Sequence, residues 1–315
     1  MNNLNIKNKY ICNLQIAKKI CYFGSSVSFM KNGWRKVFHE NLCQLTGINH
    51  EEIDSTLGGT NIVSNSILVQ EKVCKYNPDI VFFDFVINDK DGNSCPKDLI
   101  SISLEECVKT ILYNNPNCII IFLYMHSKHA NGHDWVMKIY DDIADKYNIS
   151  SINVENYIHN ITDGHNKYYK DTCHPNEEGI NLIANFIMEG FQQIILQPEK
   201  PSFDTHIVPF DKANLLSKKF HKLGEVFYQD VQSEVKIMEK FSILCLEMIV
   251  GPETKGMITS LDGAETVWSL EDAWTNYDRV THKIIYYNLE NKNHEVKIRP
   301  VEGSKLYLNK YFLRS

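Results

Sequence analysis

From about residue 19 to residue 197 the chain alternates short, nearly continuous apolar runs with longer amphipathic stretches. That alternation constrains the fold more than any other feature. KICYF (19–23), DIVFFDFVI (79–87), CIIIFLY (118–124) and SINV (151–154) have the β-branched and aromatic content of strands buried on both faces. Between them, residues 34–45, ILVQEKVCKY (67–76), LISISLEECVKTILY (99–113), HDWVMKIYDDIADKY (133–147) and NEEGINLIANFIMEGFQQIIL (176–196) read as helices. Asn114-Asn115-Pro116 stops one of these, and Pro175 stands at the start of the last, where a missing N–H costs nothing. A strand that is apolar throughout needs cover on both faces, and helical crossovers supply it. The expected fold class is therefore α/β, a three-layer α/β/α sandwich around a parallel sheet.

The pattern breaks at Gln197-Pro198-Glu199-Lys200-Pro201, where two prolines in a polar stretch read as a linker. Beyond it FSILCLEMIV (241–250), KIIYYNL (283–289), HEVKIRP (294–300) and KLYLNKYF (305–312) read as strands, with Leu261-Asp262-Gly263 as a turn. At 315 residues the chain has room for two domains. The expected division is 1–198 for the α/β domain and 199–315 for a smaller β-rich domain, with a sandwich as one form it can take.

Composition removes several function classes. The formal net charge is -6, and no basic stripe exists to neutralise phosphates, so no nucleic-acid partner is expected. No apolar run approaches the ~20 residues that cross a bilayer, so no membrane span is expected. The nine cysteines are odd in number and form no Cys-x-x-Cys pair, which reads as reduced thiols rather than a disulfide framework. MNNLNIKNKYICNLQIAKKI (1–20) lacks the apolar core of a secretory signal. A cytoplasmic protein is expected on these grounds.

Four segments fall where loops should follow strands, and in an open parallel sheet that edge binds ligands. Gly24-Ser25-Ser26-Val27-Ser28 follows the first strand and can present a hydroxyl beside helix N–H groups. Leu57-Gly58-Gly59-Thr60-Asn61 lets backbone approach a substrate oxygen. Phe85-Val86-Ile87-Asn88-Asp89 ends the apolar run 79–87 and offers an amide donor. Asp171-Thr172-Cys173-His174-Pro175 precedes the last helix, with a carboxylate spaced to hold one ring nitrogen of the histidine. Singly, each reads as an ordinary turn, bend or cap. Their serial order at one sheet edge is what points to chemistry.

That order resembles the SGNH (GDSL-type) hydrolase superfamily over roughly residues 19–197, which implies a flavodoxin-like SGNH fold. The Gly-Asp-Ser block matches Gly24-Ser25-Ser26, the glycine block Gly58-Gly59-Thr60, the Gly-x-Asn-Asp block Val86-Ile87-Asn88-Asp89, and the Asp-x-x-His-Pro block residues 171–175. The resemblance implies Ser26 as nucleophile, His174 as base, Asp171 as its partner, and Gly59 and Asn88 as oxyanion donors. Two positions depart from the pattern: Ser25 replaces the block's Asp and Val86 its Gly. Ser25 and Ser28 stay open as alternative nucleophiles, and His165 as an alternative base. The wording Phe-Asp-Phe-Val-Ile-Asn-Asp with Gly-Gly-Thr is similar to the branch that handles carbohydrate acetyl esters, including polysaccharide-biosynthesis members.

The resemblance leaves the acyl acceptor undecided. Water makes an esterase acting on O-acetyl carbohydrate. A sugar hydroxyl makes an O-acetyltransferase acting on a capsular or other polysaccharide, with acetyl-CoA as co-substrate. Otherwise no cofactor is expected. A non-enzymatic reading is a glycan-binding protein on an inactive scaffold, using Trp268, Trp274, Tyr286, Tyr287, Tyr307 and Tyr311, although such aromatics are ordinarily strand-pairing and core residues. His126, His129 and His133 match no zinc spacing, and no metal is expected. Asp84 is expected to be hydrogen-bonded, because an unpaired buried carboxylate is costly.

Overall fold

The computed structural model describes residues 3–7, 10–91, 95–128, 134–196, 220–230, 234–271, 278–287 and 289–314. The chain divides into two compact units, Met1–Lys212 and Ala213–Ser315. The linker expected at 197–201 lies outside the described residues.

The first unit runs β1 (Leu4–Asn5), β2 (Tyr10–Ile11), β3 (Lys19–Gly24), α1 (Ser26–Phe29), α2 (Trp34–Thr46), β4 (Glu51–Asp54), α3 (Ile62–Ser66), α4 (Val69–Lys72), β5 (Ile80–Asp84), α5 (Val86–Asp91), α6 (Lys97–Asn114), β6 (Ile119–Tyr124), α7 (Asp134–Tyr147), β7 (Ser150–Asn153), α8 (Val154–His159), α9 (Gly164–Tyr168), α10 (Glu177–Ile194) and β8 (Ile195–Leu196). Its main sheet has the order β1-β7-β6-β5-β3-β4. All neighbours pair in parallel except β1, a two-residue antiparallel edge strand against β7. Every residue of β5 and β6 is buried, as continuous apolar runs require. Tyr22, Phe38, Phe82 and Phe191 join the sheet to α2 and α10 in one aromatic cluster, with Tyr22 stacked on Phe82 at 5.6 Å.

Three local expectations change. The apolar run 79–87 is two elements: β5 stops at Asp84, and Val86, Ile87 and Asn88 open α5. Val86 and Ile87 are buried as helical residues, so the run stays apolar across the junction. The 67–76 helix is only the single turn α4 followed by a 3-10 turn at Cys74–Tyr76. Pro175 does not begin α10. Asn176 caps that helix by accepting from the Gly179 N–H at 2.9 Å, and Pro175 bridges Tyr169 just outside it.

The topology positions the site. The chain leaves β3 for β4 on one side and returns past it to β5 on the other. This reversal is the topological switch point where α/β sheets bind ligands. The loops after β3, β4 and β5 carry Ser26, Gly58-Gly59 and Asn88.

The second unit contains β9 (Phe220–Asp230), β10 (Val235–Phe241), β11 (Ile243–Val250), β12 (Gly256–Leu261), β13 (Ala264–Ser269), β14 (Arg279–Tyr286), β15 (Lys292–Pro300) and β16 (Tyr307–Arg314). They form two antiparallel four-stranded sheets, β10-β15-β12-β13 and β14-β11-β16-β9. Ile237, Phe241, Val296 and Ile298 from one sheet pack with Leu244, Leu246, Met248 and Ile285 from the other. Alternating burial in β10 and β15 supplies one inner face of this β-sandwich.

Candidate active site

Gly24 and Asp84 are register partners at the ends of β3 and β5. A Cβ on Gly24 would lie 3.0 Å from the Asp84 Cβ, so glycine lets the two strand ends close up. The Ser25 N–H donates to the Asp84 carbonyl at 2.9 Å, fixing the turn into α1. Ser26 then opens α1, half-buried, with its hydroxyl at the carboxyl edge of the sheet.

The loop with Asp171 and His174 is held from several sides. Lys170 N–H donates to the His174 carbonyl, and Lys128 N–H donates to the Thr172 carbonyl. Asp171 Oδ1 accepts from the backbone N–H groups of Cys173 at 3.0 Å and His174 at 2.7 Å. His174 Nδ1 lies 3.0 Å from both Asp171 carboxylate oxygens. A carboxylate only accepts, so this nitrogen carries the proton and Nε2 is the acceptor. Ser26 Oγ lies 3.1 Å from that Nε2. Hydroxyl, imidazole and carboxylate thus form one row, 148 residues apart in the chain at its widest. Burial works against the charge on Asp171, but the two backbone donors and the imidazole outweigh it and hold the carboxyl below its ordinary range.

The competing residues lie off this row. Ser25 is fully buried. Ser28 Oγ donates to Asp84 Oδ2 at 2.6 Å. His165 Nδ1 sits 3.0 Å from His126 Nε2, and His126 Nδ1 lies 3.0 Å from Glu155. His129 and His133 lie outside the described residues, as does Trp274.

Gly59 stands on a loop closed by its own hydrogen bonds, and Asn88 on the start of α5. Thr60 Oγ1 donates to the Leu57 carbonyl at 2.7 Å, and the Asn65 amide donates to Thr60 Oγ1 and the Asn61 carbonyl. Gly59 has φ 69°, a left-handed conformation natural to glycine. A Cβ on Gly58 would stand 3.9 Å from the Ser26 Cβ, which puts this turn beside the serine. Asn88 follows on the first turn of α5, half-buried.

Asp89 is the residue whose part sequence reading missed. Read alone it is a turn cap. In the fold its Oδ1 accepts from the Ile62 N–H at 2.7 Å and its Oδ2 from the Tyr140 hydroxyl at 2.6 Å. It therefore ties the Gly59 loop to the Asn88 helix, through partners 27 and 51 residues away. Burial pushes both Asp84 and Asp89 up to about 7, although hydrogen bonds to each pull the other way. The donor to Asp84, Ser28, meets the expectation that this carboxyl is hydrogen-bonded.

In the second unit, Trp268 Nε1 donates to Thr259 Oγ1 at 2.8 Å, and Tyr286 Oη shares the same hydroxyl at 2.6 Å. Trp268 thus bonds the neighbouring strand of its own sheet, and Tyr286 reaches Thr259 from the other sheet.

The sequence matches no family profile, and no curated protein matches it. Solved structures do. A two-domain esterase active on acetylated mannans, crystallised with mannopentaose, superposes with a TM-score of 0.75 at 14% identity, covering 98% of this chain and 96% of the esterase. A GDSL-like lipase from Parabacteroides merdae superposes with a TM-score of 0.51 at 14% identity, covering 59% of this chain and 97% of the lipase. An alpha/beta hydrolase from the metagenome of Lake Arreo gives 0.50 at 14% identity, covering 58% of this chain and 99% of its own. At these identities the likeness concerns fold, and the first match spans both units. The chain shares its two-domain fold with the esterase active on acetylated mannans, and the fold of its α/β part with the GDSL-like lipase.

Proposed function

We propose that the protein is a serine esterase that removes O-acetyl groups from carbohydrate. The observation that carries the reading is the hydrogen-bonded row Ser26–His174–Asp171 at the sheet's switch point. Ser26 Oγ attacks the ester carbonyl while His174 Nε2 takes its proton. Asp171 keeps the imidazole in the tautomer that can accept and stabilises it once charged. The alcohol leaves with the proton returned by His174, and water then releases acetate by the same route. The Ser26 N–H, the Gly59 N–H and the Asn88 amide are assigned to the oxyanion, where losing one donor costs about 2.7–4 kcal/mol.

Carbohydrate as the alcohol rests on the whole-chain likeness to an esterase active on acetylated mannans. Acyl transfer to a sugar hydroxyl would use the same residues. The test incubates wild type and Ser26→Ala with p-nitrophenyl acetate, acetylated mannan and acetylated xylan, and separately with acetyl-CoA plus the deacetylated glycans. Acetate released from a glycan by wild type alone supports the esterase. Acetyl transfer without acetate release replaces it with the transferase. Full turnover by Ser26→Ala refutes both.

A further inference from the structure

Among the described residues, one group combines metal-ligating side chains from three chemical classes: Asp171, Cys173 and His174, whose ligand atoms lie within 4.8 Å of one another. The Cys173 thiol stands 3.6 Å from His174 Nδ1, on the side of the ring that Asp171 occupies and away from Ser26. We propose that these three side chains form an inhibitory site for zinc or a similar thiophilic divalent cation, which switches off the base. The inference rests on His174 being the general base of the proposed esterase.

The geometry suits a tetrahedral ion. With zinc–sulfur near 2.3 Å and zinc–nitrogen near 2.0–2.1 Å, sulfur and nitrogen ligands stand roughly 3.6 Å apart. The nitrogen–oxygen separation of 3.0 Å needs only a small opening. The ligands come from positions i, i+2 and i+3 of one loop, which the Lys170–His174 backbone bond closes. Asp171 is exposed, so an ion can enter from solvent and keep water in the fourth position. Thiolate, imidazole and carboxylate together suit zinc better than calcium or magnesium, which take oxygen.

Binding balances simply. The thiol proton is released to solvent as the Cys173 sulfur binds. His174 stays neutral, but its proton moves from Nδ1, now on the metal, to Nε2 by way of solvent. An imidazole protonated at Nε2 donates toward Ser26 and cannot accept from it. The ion also takes Asp171 away from the imidazole. Both changes remove the base without touching Ser26.

The test titrates wild type, Cys173→Ala, Cys173→Ser and Ser26→Ala with Co2+ alone, watching for thiolate-to-cobalt absorption. The same proteins are assayed with p-nitrophenyl acetate under Zn2+ and then excess chelator. The expected result is a cobalt–thiolate band in wild type and Ser26→Ala that Cys173→Ala lacks. Zinc inhibition should be reversed by chelator. Its half-inhibition concentration should rise by at least about tenfold in both Cys173 variants, since even outer-shell losses weaken metal binding about 10–100-fold. An unchanged band in Cys173→Ala, or no band in wild type, overturns the site. Equal zinc inhibition of wild type and both Cys173 variants overturns it too. The cobalt signal needs no turnover, so an inactive wild type refutes the esterase reading and still leaves the metal site tested.

Discussion

Replacing Asp84 by Asn tests what holds the floor beneath the serine loop. Asp84 is fully buried between β3 and the start of α1, with Ser28 as its side-chain donor. Burial raises its carboxyl from 3.8 to about 7. Folding therefore favours the protonated acid. The resulting stabilisation is complete below the unfolded value and disappears as pH rises through about 7. At 1.36 kcal/mol per unit, this one group should cost the native state about 2–3 kcal/mol between pH ~5 and pH ~8. Asn keeps the shape and can still accept from Ser28, but it does not titrate.

Asp89 shifts in the same direction, and the neighbouring Asp84 charge is one of the causes. Asp84 and Asp89 thus each contribute a fall, to which the raised Asp141 adds and which His50 and His165, with lowered values, oppose as pH rises. Asp84→Asn should remove its own fall and make that of Asp89 end at lower pH. Asp171, Asp54 and Glu105 have lowered values, so the stability they contribute is lost in acid and lies outside this window. Urea unfolding at matched pH values, with the dependence on urea unchanged, measures the difference. Equal slopes for wild type and Asp84→Asn across that window would refute the argument that burial holds this carboxyl protonated.

Three further outcomes are expected. Tyr140→Phe removes the hydroxyl from a buried carboxylate and should cost about 1.5–3 kcal/mol, more above neutral pH than below it, in thermal melts across that range. Gly179→Ala places a Cβ 2.0 Å from the Tyr168 carbonyl and 3.1 Å from Pro175, so it should destabilise by at least about 1–3 kcal/mol, and a melt unchanged from wild type would contradict that packing. Asp171→Asn should lower kcat on p-nitrophenyl acetate by roughly 10⁴-fold with little change in KM, as loss of the carboxylate does in the Ser-His-Asp template, and a change confined to KM would remove Asp171 from the proton-transfer row.

Periodicity exposes an element only where that element buries apolar residues in its own pattern. The runs at 19–23 and 118–124 did so, and both are central strands of the sheet. Glu51–Asp54 did not: as an edge strand it buries only Ile53, and three acidic neighbours hide it. The run 79–87 misled for the opposite reason. Phe85, Val86 and Ile87 are buried on a helix start as thoroughly as Phe82 and Phe83 are on a strand, so apolar continuity carried no sign of the change. The two antiparallel sheets of the second unit were half legible, because Phe220–Asp230, Val235–Phe241 and Ala264–Ser269 mix polar residues into their strands.

The site divides in the same physical way. Ser26, His174 and Asp171 could be placed because serial order at strand ends constrains loops that one sheet edge must gather. The groups beneath those loops had no such order to announce them. Asp89 matters through a backbone N–H on another loop and a hydroxyl on α7, and neither partner is implied by its neighbours in sequence. Cys173 likewise read as one reduced thiol among nine until the turn at 170–174 aimed its sulfur at the Nδ1 of the adjacent histidine. Asp89 acts where segments converge and Cys173 acts within one closed turn, so the chemistry of both exists only in the folded chain. Variants at Asp89 and Cys173 should accordingly separate what the row of three does from what positions and restrains it.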